Sequence, residues 1–334
     1  MKNLILILVI FLSSCKEDYC IKDYLITNAD NICLNSSILF STSNGSSYFS
    51  DLKITQNNCI ISDSESDTIF RAFRNNDFST QLLFTKSGNE HQINPYNLSF
   101  TAEVKDKNSE NDVLFIDGNR SLNSMAINND RIINHEISGQ MPLPYTLDYN
   151  ISSEYIYGNQ KDGGSMYSFY FYSPDSGFYW IRPADKIRRI CNDPLVCSNN
   201  LCINEQKNTL VAAYRYVNFI SLYDLDGELK TTIQIGVDIA KPYIRKDLGI
   251  KPEKTKKYFI DIYGTTRYIY CLFSGSYDYS TNSKVFIFKW NGKHIKTLQL
   301  DHPISKFAVD DKDSFMICIT SNHSGGQDII RYDL

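Results

Sequence analysis

An all-β chain built from similar units in a ring follows from three observations. Strand-forming residues are abundant: the 334 residues include 23 Tyr and 19 Phe, and aromatics make up 13%. They occur in short runs broken by Asn, Asp, Gly and Ser, the pattern of strands separated by turns. One strand–turn–strand unit then recurs along the chain. Together these predict a six-bladed β-propeller, in which repetition around a ring buries both faces of each four-stranded blade.

The repeat is clearest between ISLYDLDGELKTTIQI, from Ile220, and VFIFKWNGKHIKTLQL, from Val285. They align without a gap, placing Asp226 on Asn291, Gly227 on Gly292, Thr232 on Thr297 and Gln234 on Gln299. An Asx-Gly pair predicts a two-residue hairpin with positive φ at both central positions. Weaker copies turn near Gly177, Gly118 and Asn76. The closing IIRYDL matches ISLYDL up to the point where the turn would begin. These marks lie roughly 40 to 65 residues apart, the period of propeller blades with loops. The last strand needs a sister to finish its blade, and an early strand between residues 38 and 61 is expected to supply it. Two stacked β-sandwiches could use the same strands, but the block spacing argues against them. The one helical or loop insertion is read at residues 241–257.

The N-terminus carries a different signal. Lys2 precedes an apolar run at residues 4–12 that is too short to span a bilayer, which needs about 20 residues, and has signal-peptide length. The run ends in Leu12-Ser13-Ser14-Cys15, which resembles the lipobox of bacterial lipoproteins. The resemblance implies cleavage before Cys15 and acylation of its thiol and new amine. Lys16-Glu17-Asp18 looks like a surface-export signal of Bacteroidota lipoproteins. The expected organisation is a signal peptide at 1–14, a lipidated cysteine and tether at 15–30, and the propeller at 31–334. The expected location is the outer membrane, lipid-anchored and exposed at the cell surface.

Composition and motifs narrow the chemistry. Net charge is −4, so no overall basic field exists to hold nucleic acid, and none is expected as a partner. Gly-x-Ser-x-Gly, His-x-x-x-His and Cys-x-x-Cys are absent, so no hydrolase elbow, metal site or cofactor is expected. YDLDGE and VDDKDS lack EF-hand spacing and read as turns. The aromatic run at residues 166–180 could stack on sugars, but it is apolar on both faces and reads as a strand packed between blades. Cys271 and Cys318 lie in apolar strands and read as small hydrophobes. Cys191, Cys197 and Cys202 fall in one loop and are the candidates for a disulfide in an exported chain.

Two surface features remain. Residues 241–257 carry the strongest local charge bias, and Lys254, Lys256 and Lys257 form a candidate docking patch for anionic headgroups, acidic glycans or an acidic partner. Arg215 and Asn218 follow a buried strand and are candidates for a ligand-binding face at the channel mouth.

The stretch from residue 199 to 334 resembles the TolB-like six-bladed propeller lipoproteins of Bacteroidota. The shared features are TRYIYCLFSG, VFIFKWNG with the following LDHPISKFAVD, and the closing IIRYDL. Lys289 departs from the Asp usual at that position. The resemblance is looser from residue 95 to 183 and poor before that. It implies a secreted, lipid-anchored propeller and carries no catalytic set. The leading expectation is a non-enzymatic binding or scaffold module for a protein or glycan. The alternatives are an enzyme of glycan lyase or hydrolase type, with its site at one channel mouth, and an accessory subunit of an envelope assembly docking through the basic segment.

Overall fold

The computed structural model describes residues 22–26, 31–43, 47–75, 78, 81–85, 93–96, 98–104, 112–128, 131–144, 146–160, 169–190, 193–245 and 249–334. The signal peptide, Cys15 and Cys191 lie outside these residues.

Three short strands come first: β1 (Lys22–Ile26), β2 (Asn31–Leu34) and β3 (Ser37–Ser41). Blade 1 is β4 (Phe49–Ile54), β5 (Asn58–Asp63), β6 (Thr68–Arg74) and β7 (Gln81–Thr85). Blade 2 is β8 (Ser99–Val104), β9 (Asp112–Ile116), β10 (Leu122–Asn128) and β11 (Arg131–Ser138). Blade 3 is β12 (Thr146–Ile151), β13 (Ile156–Gln160), β14 (Phe169–Ser173) and β15 (Gly177–Ile181). Blade 4 is β16 (Asn199–Asn204), β17 (Thr209–Tyr214), β18 (Phe219–Tyr223) and β19 (Leu229–Ile235). A small hairpin, β20 (Ile244–Arg245) and β21 (Gly249–Ile250), lies in the connection to blade 5. Blade 5 is β22 (Lys257–Gly264), β23 (Tyr268–Ser276), β24 (Lys284–Lys289) and β25 (His294–Leu300). Blade 6 takes β26 (Lys306–Val309), β27 (Phe315–Ser321) and β28 (Gln327–Asp333) from the end of the chain, and β3 from its beginning.

The chain is thus a six-bladed β-propeller, and the expected early donor strand is Ser37–Ser41. β3 pairs antiparallel with β28, from Ser37 opposite Arg331 to Ser41 opposite Asp328. Side chains reinforce the seam. Ser36 donates its backbone N–H to Asp301 Oδ2 at 3.0 Å, and Tyr332 donates its hydroxyl to Oδ1 of the same carboxylate at 2.6 Å. Gln327 Oε1 accepts the Phe49 N–H at 2.6 Å. The two strands before β3 add to neighbouring blades. β1 runs parallel to β19 on the outer edge of blade 4, and β2 runs parallel to β25 on blade 5. Residues 22–26, read from sequence as tether, therefore cover an otherwise open sheet edge.

Alternation along each strand builds the core. Leu210, Ala212 and Tyr214 of β17 pack toward blade 3, while Val211 and Ala213 pack toward blade 5. In β14, Phe169 and Phe171 face blade 4, and Tyr170 and Tyr172 face blade 2. Each of six apolar clusters lies between two neighbouring blades, and the cluster joining blades 6 and 1 closes the circle. Burying both faces is why these strands read as continuous apolar runs.

Two turn expectations are corrected. At the aligned repeats, only Gly227 (φ 88°) and Gly292 (φ 82°) have positive φ; Asp226 and Asn291 do not. Gly227 donates to Asp224 O and Asp224 donates to Glu228 O; Gly292 and Lys289 repeat this with Lys289 O and Lys293 O. This is a type I turn followed by a glycine bulge, whose extra residue relieves the demand for two positive φ angles. The mark near Gly118 is also displaced. It joins β9 to β10, the second and third strands of blade 2, whereas the Gly177, Gly227 and Gly292 turns join third and fourth strands. Arg120, with φ 65°, takes the left-handed position there.

Candidate functional site

Strands alternate in direction within a blade. Loops joining first to second and third to fourth strands fall on one face, here the lower. Loops joining second to third strands, and the connections between blades, fall on the upper face. First strands from all six blades line a central channel: β4, β8, β12, β16, β22 and β26 each contribute to one cavity of about 350 Å³. This cavity reaches Glu205, Gln206 and Thr266 in lower loops. A second cavity of about 230 Å³ lies toward the upper face, bounded by Tyr48, Ser64, Tyr96 and Leu98. Asp51, Asp148 and Lys306 border both.

Those residues form a plug with Asp261. Lys306 Nζ lies 3.1 Å from Asp148 Oδ1, 3.2 Å from Asp261 Oδ1 and 3.8 Å from Asp51 Oδ1. One ammonium from blade 6 thus meets carboxylates from blades 1, 3 and 5. The remaining oxygens have structural duties. Asp261 Oδ2 accepts the Phe307 N–H at 3.2 Å, and Asp51 Oδ2 accepts the Phe100 N–H at 2.9 Å, across to blade 2. Burial pushes the Asp261 carboxyl up to about 7 despite the attraction of Lys306, and burial likewise raises Asp51. Burial opposes the charge on Lys306, but Asp148, Asp261 and Asp51 outweigh it and hold the ammonium well above the usual lysine range. None of the four had been selected from the sequence. The available signal was an Asp inside each of three strand runs, SDLKI, TLDYN and YFIDIYG, since Asp is depleted in strands.

A third concavity sits on the upper face between blades 4 and 5. It is a groove of about 520 Å³ lined by residues 238–244, Lys254, Thr255, Lys256, Tyr258 and Tyr277. The insertion expected at 241–257 supplies one wall as a loop with the small β20–β21 hairpin and a single 3-10 turn at Pro252–Lys254. Lys254 Nζ stands 5.5 Å from the Tyr243 ring centre, and Lys256 Nζ 5.8 Å from that of Tyr277. Val237, Ile239, Tyr243, Ile244 and Tyr277 are exposed along this region.

Two of the three patch lysines, Lys254 and Lys256, face the groove. Lys257 does not. It is buried, its ammonium donates to Pro252 O at 2.6 Å and also to Tyr277 O, and burial lowers its pKa. It ties the two walls together. Asn218 is likewise a brace. It is buried beneath the groove, with Nδ2 donating to Ile235 O (2.5 Å) and Asp238 O (2.9 Å), and Oδ1 accepting from Ala240 N (2.9 Å). Arg215 joins blade 4 to blade 5 through its carbonyl, which accepts from Tyr258 N at 2.7 Å, while its Nη2 donates to Asn200 Oδ1 at 3.3 Å within blade 4.

Cys197 and Cys202 are not bridged to each other, and a bridge to Cys191, the third candidate, lies outside the described residues. Cys197 packs between blades 3 and 4 and Cys202 between blades 4 and 5, so a blade separates their sulfurs. Burial raises the Cys59 thiol to about 12 and drives Cys271 and Cys318 well above the usual range, so these are packing residues. Among the described residues, no group of three or more His, Cys, Asp or Glu is arranged to hold a metal ion.

Comparison with known proteins adds a partial match. Residues 186–312 match the TolB-like 6-blade propeller-like family. The TolB-like match covers a little over a third of the chain, spanning blades 4 and 5, the groove between them and the start of blade 6. No curated protein sequence matches the chain. Among solved structures, a member of the DUF4221 family from Bacteroides vulgatus shares 12% identity at a TM-score of 0.51, covering 91% of this chain and 97% of that one. The structure of U3-55K shares 9% identity at 0.51, covering 90% and 98%, and the RRP9 WD40 repeats share 9% at 0.51, covering 89% and 97%. At these identities the likeness concerns the fold alone.

Proposed function

We propose that this protein is a lipid-anchored binding module of the bacterial outer membrane, held at the cell surface through Cys15 and binding a protein or glycan partner without catalysing a reaction. The observation that carries the reading is the groove between blades 4 and 5. It is concave, combines exposed tyrosines with three lysines, Lys241, Lys254 and Lys256, and its walls are braced by Asn218, Thr255 and Lys257. A preorganised concavity that sets a few polar groups among aromatic rings is typical of ligand sites. Six or seven peptide units separate Cys15 from β1, a reach of at most about 25 Å. A lipid on Cys15 would therefore hold the outer edge of blade 4 near a membrane and leave both faces of the disc accessible. Two measurements test the proposal. Cys15→Ala should release folded protein from the membrane fraction, and unchanged fractionation would refute the anchor. Affinity purification from intact cells should recover a partner that is lost with Lys254→Glu/Lys256→Glu; a partner retained by that variant would remove the groove from the reading.

A second reading, a glycan lyase or hydrolase working at the channel mouth, draws on Asp261, a carboxyl raised to about 7 beside a cavity. It ranks second because the oxygens of Asp51 and Asp261 are engaged by Lys306 and by backbone N–H groups. Glycan cleavage lost on Asp261→Asn in a folded variant would reverse the ranking.

A further inference from the structure

We propose that the groove between blades 4 and 5 binds an acidic saccharide, with sugar rings against Tyr243 and Tyr277 and the acid groups at Lys254 and Lys256. This rests on the binding-module reading and names its ligand class.

Four features point to that chemistry. The groove volume, about 520 Å³, suits a ligand of a few rings. Its charge is unbalanced: among the described residues, Lys241, Lys254 and Lys256 line it against Asp238. Among the described residues its aromatic lining is Tyr243, Tyr258 and Tyr277. Tyrosine presents a flat apolar face beside a hydroxyl, which complements the C–H faces and hydroxyls of a pyranose. Finally, the cations and rings come in pairs, Lys254 with Tyr243 and Lys256 with Tyr277. Each ammonium stands over one face of its tyrosine, so a sugar ring against the opposite face carries its acid group to the ammonium around the ring edge. A bilayer surface is flat and would not enter this concavity.

The walls are set before a ligand arrives. Thr255 is buried, accepts the Tyr243 N–H at 3.0 Å and donates to Lys251 O at 2.9 Å, fixing the turn that carries both lysines. Lys257 links Pro252 on one wall to Tyr277 on the other. Asn218 clamps residues 235–240. Rigid walls reduce the ordering cost of binding.

The test is calorimetric titration of the mature chain carrying Cys15→Ala with three hexasaccharides: an oligogalacturonate, a chondroitin sulfate fragment and the neutral cellohexaose. Phosphatidylglycerol vesicles, read by co-sedimentation, form a fourth arm. At least one acidic sugar should bind saturably and cellohexaose should not, the active probe telling carboxylate from sulfate preference. Lys254→Gln, Lys256→Gln, Tyr243→Ala and Tyr277→Ala should each weaken binding about tenfold, with thermal melts unchanged. Lys289→Gln, an exposed lysine away from the groove, should have no effect. The proposal is overturned if neither acidic sugar binds, if cellohexaose binds equally well, if the groove variants bind like the parent, or if only the vesicles bind. Should the sugars fail while a partner captured from cells still depends on Lys254 and Lys256, the ligand class falls and the binding module stands.

Discussion

Lys306 of blade 6 is tied to Asp261 of blade 5 through both carboxylate oxygens: its ammonium lies 3.2 Å from Oδ1, and the backbone N–H of the next residue, Phe307, donates to Oδ2 at 3.2 Å. Asp148 and Asp51 complete the ammonium's surroundings. Removing it leaves partly buried carboxylates without their counter-ion. Lys306→Met is expected to cost about 3–5 kcal/mol in urea unfolding. Adding Asp261→Asn to that variant should recover part of the loss, and a neutral single substitution would contradict the electrostatic role.

The same carboxyl makes stability depend on pH. Asp261 titrates at about 7 in the fold, against about 3.9 for an unfolded aspartate. Between these values the folded state holds more protons, so this group's contribution to stability falls as pH rises from about 4 to about 7, then levels. Asp63, Asp301 and Asp310, lowered by hydrogen bonds that outweigh burial, act oppositely: their contribution is present above the unfolded value and lost in acid. Comparing melting temperatures of the parent and Asp261→Asn cancels that background. The variant should gain relative to the parent between pH 5 and 8; a constant difference would place the carboxyl elsewhere on the pH scale.

Gly227 and Gly292 occupy equivalent bulges, but their surroundings differ. A Cβ at Gly292 would sit 3.4 Å from Thr231 Cγ2, in ordinary contact, so Gly292→Ala carries mainly the left-handed backbone penalty of about 1–2 kcal/mol. A Cβ at Gly227 would fall on Ile181 Cδ1 in the core between blades 3 and 4. Gly227→Ala should therefore be the more destabilising of the two in thermal unfolding, and equal effects would refute the clash.

Asn218 satisfies three backbone groups under the groove. Asn218→Ala leaves them without that partner and should cost about 1–3 kcal/mol. Residues 236–256 should become sensitive to limited proteolysis while the other blades resist. Uniform resistance would show that the segment holds its shape without the brace.

The N-terminal strands can be dissected by truncation. Removing residues up to 30 takes away β1, an added edge strand, and should leave a cooperative fold. Removing residues up to 42 takes β2 and β3 as well, leaves blade 6 with three strands and strips β28 of its partner on the outer edge. That truncation should lose the cooperative urea transition.

The architecture was legible in the sequence because the repeat reports it directly. The Ile220 and Val285 segments occupy the same third-strand, turn and fourth-strand positions of blades 4 and 5. The match of IIRYDL to ISLYDL located the missing strand correctly, since both are third strands. What escaped was set by three-dimensional convergence. Asp51, Asp148, Asp261 and Lys306 are scattered over more than two hundred and fifty residues, and only ring closure brings them onto one axis. Lys257 and Asn218 were singled out as surface groups, yet side-chain direction turned them into internal braces, and composition says nothing about direction. Cys197 and Cys202 are only five residues apart, but Cys197 ends a 3-10 turn packed between blades 3 and 4 while Cys202 lies in β16 facing blade 5.

The seam between β3 and β28 also has a temporal meaning. It joins residues 37–41 to residues 328–331, segments separated by nearly all of the propeller's sequence. Contacts between such distant segments form slowly, because almost the whole chain must be gathered first. Until β28 is in place, β3 has no partner and β27 is paired on one edge only, with β26. The ring is thus latched by its final strand, and a chain halted short of it would present an open sheet edge, the feature most prone to pairing with other molecules.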